Sequence, residues 1–155
     1  MGTRLLTIAL IISILSLCSL RVNAQIPDPV KWSTGVEYES SGQAVLIMTA
    51  TIDKGWHLYS QFLPDGGLIK TTFSLKPSSD YDLVGTVTEG KATDFYDKNF
   101  EMQLKYFSVI AEFRQKIKLN SKANFKLEGN VEYMVCDDEK CLPPKMVDLS
   151  FDIKK

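Results

Sequence analysis

The sequence predicts an all-β protein, an immunoglobulin-like antiparallel β-sandwich, and three observations predict it. Apolar residues recur at every second position in several segments, and no window carries the i, i+3, i+4, i+7 stripe of an amphipathic helix. Clusters of Gly, Pro, Asn, Asp and Ser separate those segments at sandwich-like intervals. The 155 residues are 45% hydrophobic and 24% charged, the balance of a chain that buries one core of ordinary size.

Taken in order, residues 1–24 read as a leader rather than as part of the fold. Arg4 supplies a positive start, residues 5–17 an almost unbroken apolar stretch, and Val22-Asn23-Ala24 a small-residue exit before Gln25. The stretch is shorter than the roughly 20 residues of a membrane span. Leu17 precedes Cys18 where a lipidated cysteine needs a small neighbour, so a lipoprotein is set aside. Residues 25–155 form the expected domain. The first strand of that domain is expected at Gln43–Ile52, rich in β-branched residues, between Ser40-Ser41-Gly42 and Asp53-Lys54-Gly55. Residues 70–75 and 81–87 alternate. Residues 104–119 form one longer run in which Phe107, Val109, Ala111 and Phe113 share a face. Residues 124–135 and 146–153 complete the set, the last with Val147, Leu149, Phe151 and Ile153 in register.

Turns are expected at Asp65-Gly66-Gly67, Pro77-Ser78-Ser79-Asp80, Glu89-Gly90-Lys91, Asn120-Ser121 and Gly129. Seven or so strands then suggest two packed antiparallel sheets. Residues 56–68 and 91–102 carry no strand pattern and read as long loops, where function is often placed. Trp32, Trp56, Met48, Met102, Met134 and Met146 are assigned to packing.

Composition excludes several functions. A formal net charge of −1 gives no basic face for nucleic acid. One His and three Cys leave too few ligands for structural zinc, and no cofactor is implied. Without residues 1–24 the chain loses two arginines and Cys18, leaving 16 bases against 19 acids and two cysteines in an oxidising compartment. Those two, Cys136 and Cys141, flank Asp137-Asp138-Glu139-Lys140. A bridge between them requires the chain to reverse over that polar segment, which places the pair at a hairpin tip near the surface. Two readings stay open at this point. A structural staple closing so small a loop contributes about 2 kcal/mol in the loop-entropy model. An exposed bridge is instead open to attack by a partner thiolate. The surrounding carboxylates disfavour a thiolate, so the reduced pair would be guarded rather than spontaneously reactive.

Val131-Glu132-Tyr133-Met134-Val135-Cys136 through Cys141-Leu142-Pro143-Pro144 resembles the redox hairpin of the N-terminal periplasmic domain of DsbD, the thiol:disulfide interchange protein. Lys54-Gly55-Trp56-His57-Leu58-Tyr59 and Thr93-Asp94-Phe95-Tyr96 resemble two further signatures of that family, in the same order along the chain. The resemblance implies an immunoglobulin-like sandwich in the periplasm whose reversible Cys136–Cys141 disulfide relays electrons without a bound cofactor. It implies a membrane-embedded electron donor of the DsbD/CcdA type, carried here on a separate chain, and thioredoxin-like or disulfide-bearing periplasmic acceptors. It also implies that Phe95 caps the disulfide, with Asp94 and Tyr96 beside it and Tyr59 and His57 lining the site. Four residues rather than five separate the cysteines, Thr93 stands where an acid is expected, and His57 where an aromatic hydroxyl is expected. Two alternatives use the same residues differently: a non-catalytic immunoglobulin-like binding module with a structural bridge, and an isomerase that corrects wrong disulfides.

Overall fold

A computed structural model describes residues 26–40, 42–64, 66, 68–97 and 101–154. The expected leader, residues 1–24, lies outside them, as do Ser41, Asp65 and Gly67 of the expected turns. Eleven strands and no helix make up the described residues: β1 (Val30–Glu39), β2 (Gln43–Ile52), β3 (His57–Tyr59), β4 (Thr72–Leu75), β5 (Tyr81–Glu89), β6 (Thr93–Asp97), β7 (Met102–Phe107), β8 (Ile110–Leu119), β9 (Phe125–Tyr133), β10 (Val135–Cys136) and β11 (Lys145–Ile153). Every pairing between these strands is antiparallel.

The strands form three hydrogen-bonded sheets, in the orders β1-β2-β8-β5, β10-β3-β7-β6 and β11-β9-β4. The second and third adjoin, because β9 passes through the single residue Met134 into β10. Thr71 ties them as well, its Oγ1 donating to the Tyr59 carbonyl at 2.5 Å. The main core lies between the first sheet and this pair. Leu46, Met48, Phe113 and Ile117 come from the first sheet, Leu127, Val131, Leu149 and Phe151 from the third, and Leu58, Phe107 and Val135 from the second, all buried. Trp32 of β1 packs among Phe73, Phe113 and Tyr133, its ring centroid 5.6 to 5.9 Å from theirs. This is the predicted immunoglobulin-like β-sandwich, with its second layer split into two sheets.

Five local expectations are corrected. The run over residues 104–119 is two strands in different sheets, broken at Ser108-Val109, so Phe107 and Ala111 are buried while Val109 is 70% exposed. Residues 56–68 and 91–102, expected as loops, contain β3 and β6. Those strands hold three and five residues and exist through pairing with β7, too short for a periodicity to register. β1 was not expected, although Val30, Trp32, Val36 and Tyr38 alternate along it; it is a sheet edge on which Val30 alone is fully buried. Gly129, expected at a turn, lies inside β9 between Leu75 and Leu149. Met146 is 61% exposed on β11 and packs no core.

Candidate functional site

The cysteine pair closes a tight hairpin. Asp137 drives the reversal: its N–H donates to the Lys140 carbonyl at 2.9 Å, and its Oδ1 accepts the N–H groups of Glu139 and Lys140 at 2.9 and 2.7 Å. Those backbone donors hold the Asp137 carboxyl below its ordinary range. Leu142 N–H closes the ladder on the Val135 carbonyl at 2.9 Å. Cys136 and Cys141 therefore face each other as a non-hydrogen-bonded pair, the type that brings side chains closest. Their Cα atoms are 3.9 Å apart and the two sulfurs are bonded. The bridge is lopsided. Cys136 is 4% exposed, whereas Cys141 lies at the surface.

The pleat of the β10-β3-β7-β6 sheet explains which residues join this bridge. Val135, Leu58 and Phe107 are cross-strand neighbours on the inner face and belong to the main core. On the outer face, Cys136 pairs with His57, Tyr59 with Tyr106, and Phe95 with Leu104. A small second core forms there, of Tyr59, Leu63, Leu104 and Cys136. Ser60, fully buried, turns the chain away from β3 by donating to Glu89 Oε1 at 2.5 Å.

His57, Tyr59, Phe95, Tyr96, Asp97, Tyr106, Asp137 and Asp138 line one open cavity of about 460 Å³ beside the hairpin tip. Tyr106 is its floor, 4.4 Å from the His57 ring and 6.0 Å from Phe95 in an edge-on contact. His57 Nδ1 lies 3.1 Å from Ser108 Oγ, and its Nε2 3.8 Å from Asp138 Oδ1. Burial, reinforced by Asp97 and Tyr106, pushes the Tyr59 phenol up. Phe95 and Tyr96 are 46% and 54% exposed on the edge strand β6. Asp94 stands apart from the cavity, its Oδ1 3.8 Å from Lys105 Nζ across the ladder. No cluster of three or more His, Cys, Asp or Glu with metal-ligating geometry occurs among the described residues.

Four of the five residues suggested to line or cap the bridge thus meet around one cavity. Sequence reasoning missed Tyr106, Asp97 and Ser108. Tyr106 had a readable signal: it alternates with the core residue Phe107 and so is a large aromatic on the face turned from the core. Ser108 had none, because its place depends on the break between β7 and β8.

A chain with an exposed cysteine in a short bridge, beside an aromatic cavity, has the form of a disulfide-exchange site. The family described as thiol:disulfide interchange protein DsbD, N-terminal, matches residues 25–151. No curated protein matches the chain. Among solved structures, the Neisseria meningitidis DsbD N-terminal domain in its reduced form is similar at 17% identity and a TM-score of 0.50, over 80% of this chain and 85% of that one. The complex of the DsbD and PilB N-terminal domains from the same organism is similar at 16% and 0.52, over 84% and 88%. The N-terminal periplasmic domain of ScsB from Proteus mirabilis matches at 16% and 0.57, covering 84% of this chain and about half, 49%, of that one. At such identities these likenesses speak for the fold, and it is the family match across residues 25–151 that assigns the chain: it belongs to the DsbD N-terminal domain family, as a thiol–disulfide interchange module.

Proposed function

We propose that the protein is a periplasmic electron relay whose Cys136–Cys141 bridge opens and closes through mixed disulfides with partner proteins. The observation that carries this reading is the lopsided bridge. An incoming thiolate reaches Cys141, while Cys136 stays buried to resolve the intermediate. Cys141 is thus the partner-facing sulfur and Cys136 the resolving one. The ScsB domain, described as periplasmic, supports the compartment, and the DsbD–PilB complex supports a protein as partner. The donor in this reading is a membrane-embedded protein of the DsbD/CcdA type, and the acceptors are thioredoxin-like or disulfide-bearing proteins. Residues 1–24 act as a cleaved export signal. Phe95 shields the bridge from small thiols, resting edge-on against Tyr106, and yields when a partner docks.

Trapping tests the assignment. Cys136→Ser is expected to accumulate a mixed disulfide with an oxidised or activated partner thiol at Cys141, while Cys141→Ser accumulates none, as counted by mass spectrometry of the intact protein. Equal trapping by both variants contradicts the assignment of roles. Loss of the fold in both makes the bridge a structural staple.

A further inference from the structure

Opening the bridge at Cys141 sends an electron pair to Cys136, whose surroundings are poor for an anion. The residue is 4% exposed and packed with Tyr59, Leu63 and Leu104. A buried sulfur anion is costly unless a proton or positive charge meets it, and exchange is faster when the leaving thiolate is stabilised.

The residue directly across the ladder from Cys136 is His57. Opposed residues of an antiparallel pair place their side chains on the same face, with Cβ atoms about 4.5 to 5.5 Å apart. The imidazole is held on both sides. Nδ1 is 3.1 Å from Ser108 Oγ, the ring lies tilted against Tyr106 with centroids 4.4 Å apart, and Nε2 turns toward Asp138 at the hairpin tip, 3.8 Å away. Its side chain is 27% exposed, enough to exchange protons with solvent.

The other ionisable groups lining the cavity with the ring are Asp137 and Asp138 from the hairpin, Asp97 and Tyr96 from β6, Tyr106 from β7 and Tyr59 from β3 itself. None becomes a cation on protonation. Two are poor proton donors for reasons visible in the structure: backbone donors keep Asp137 ionised, and burial keeps the Tyr59 proton in place. Histidine is the side chain that ordinarily changes charge between about pH 5 and 8.

We propose that His57 is the proton donor and acceptor for Cys136. The inference rests on the exchange reading above. In the forward step the partner's thiolate sulfur bonds to Cys141 Sγ and the Cys136–Cys141 bond breaks. Its electron pair leaves with Cys136 Sγ, which takes a proton from the imidazolium across the ladder. His57 becomes neutral and is reprotonated from solvent. In the reverse step neutral His57 takes the Cys136 proton, and the resulting thiolate attacks the mixed disulfide and releases the partner's thiolate. To complete the forward direction, the partner's second thiolate attacks the partner's own sulfur in the mixed disulfide and displaces Cys141 Sγ as a thiolate, so the partner's thiol pair is oxidised as the Cys136–Cys141 pair is reduced.

The test is the rate at which a small thiol reduces the oxidised protein, expressed per thiolate, from pH 5.5 to 8.5. The wild type is expected to slow by about tenfold as the imidazolium is lost with rising pH. His57→Phe, which keeps a ring on Tyr106, and His57→Gln, which keeps a polar side chain, are both expected to be flat with pH at the wild type's slow, high-pH rate. Near-UV circular dichroism identifies the variant that keeps the fold. A wild type flat with pH, or a folded variant that retains the wild-type slope, overturns the role of His57 alone. A folded wild type whose bridge no thiolate opens overturns the exchange reading together with it.

Discussion

Gly129 shows how much one residue can carry in this sandwich. It lies in β9, the middle strand of its sheet, with Leu75 of β4 on one side and Leu149 of β11 on the other. A Cβ there would sit 2.5 Å from the Ser74 carbonyl oxygen and 2.7 Å from Leu75 Cδ2. The obstacle is the backbone of β4, fixed by its ladder to β9 itself, so it cannot step aside without breaking that pairing. Gly129→Ala is therefore expected to cost about 2 kcal/mol or more, read as a lowered midpoint in urea unfolding. An unchanged midpoint contradicts the packing described. The sequence does not distinguish such a glycine from a turn glycine, since both are simply Gly between polar neighbours. The cysteines were more legible, because their separation and the polar residues between them demand a reversal. Which sulfur is buried was not legible, since that depends on β3 and the cover supplied by Leu63.

At the level of elements, the site depends on β3, β6 and β7, the parts of the fold least visible in the sequence. β2 and β11 were readable because they are long and alternate over one buried face. β3 and β6 have no such face of their own. They gain partners only because the run breaks at Ser108-Val109, which leaves β7 beside them while β8 crosses to the first sheet. The same crossing delivers Ser108 to His57 and Tyr106 to the cavity floor. β6, at the free edge, has only β7 to hold it, so Phe95 can move without disturbing the main core. Phe95→Ala is expected to speed reduction of the bridge by dithiothreitol several-fold while leaving the melting temperature within a few degrees. A rate equal to that of the wild type would mean that Phe95 does not shield the bridge.

For the whole molecule, the main core is built without the bridge. Its buried residues come from all three sheets and include neither cysteine. Cys136 belongs to the smaller cluster on the outer face, and the bridge closes a loop of sequence separation 5, worth about 2 kcal/mol at most in the loop-entropy model. Such a core is expected to keep its fold whether the bridge is open or closed, as a module that cycles between the two states requires. The overall architecture was the most legible part of the sequence, because it follows from period and turn spacing summed over many residues. The site was legible chiefly where it shares residues with that pattern.

The measurement that bears most directly on this account is the reduction potential of the Cys136–Cys141 pair, by equilibration with thiol buffers and mass counting of trapped thiols, with the fold followed in parallel. The account predicts a fully reversible midpoint above about −260 mV and an unchanged β-sheet spectrum in the reduced protein. A midpoint below about −300 mV, or unfolding on reduction, would contradict it and make the bridge a structural one.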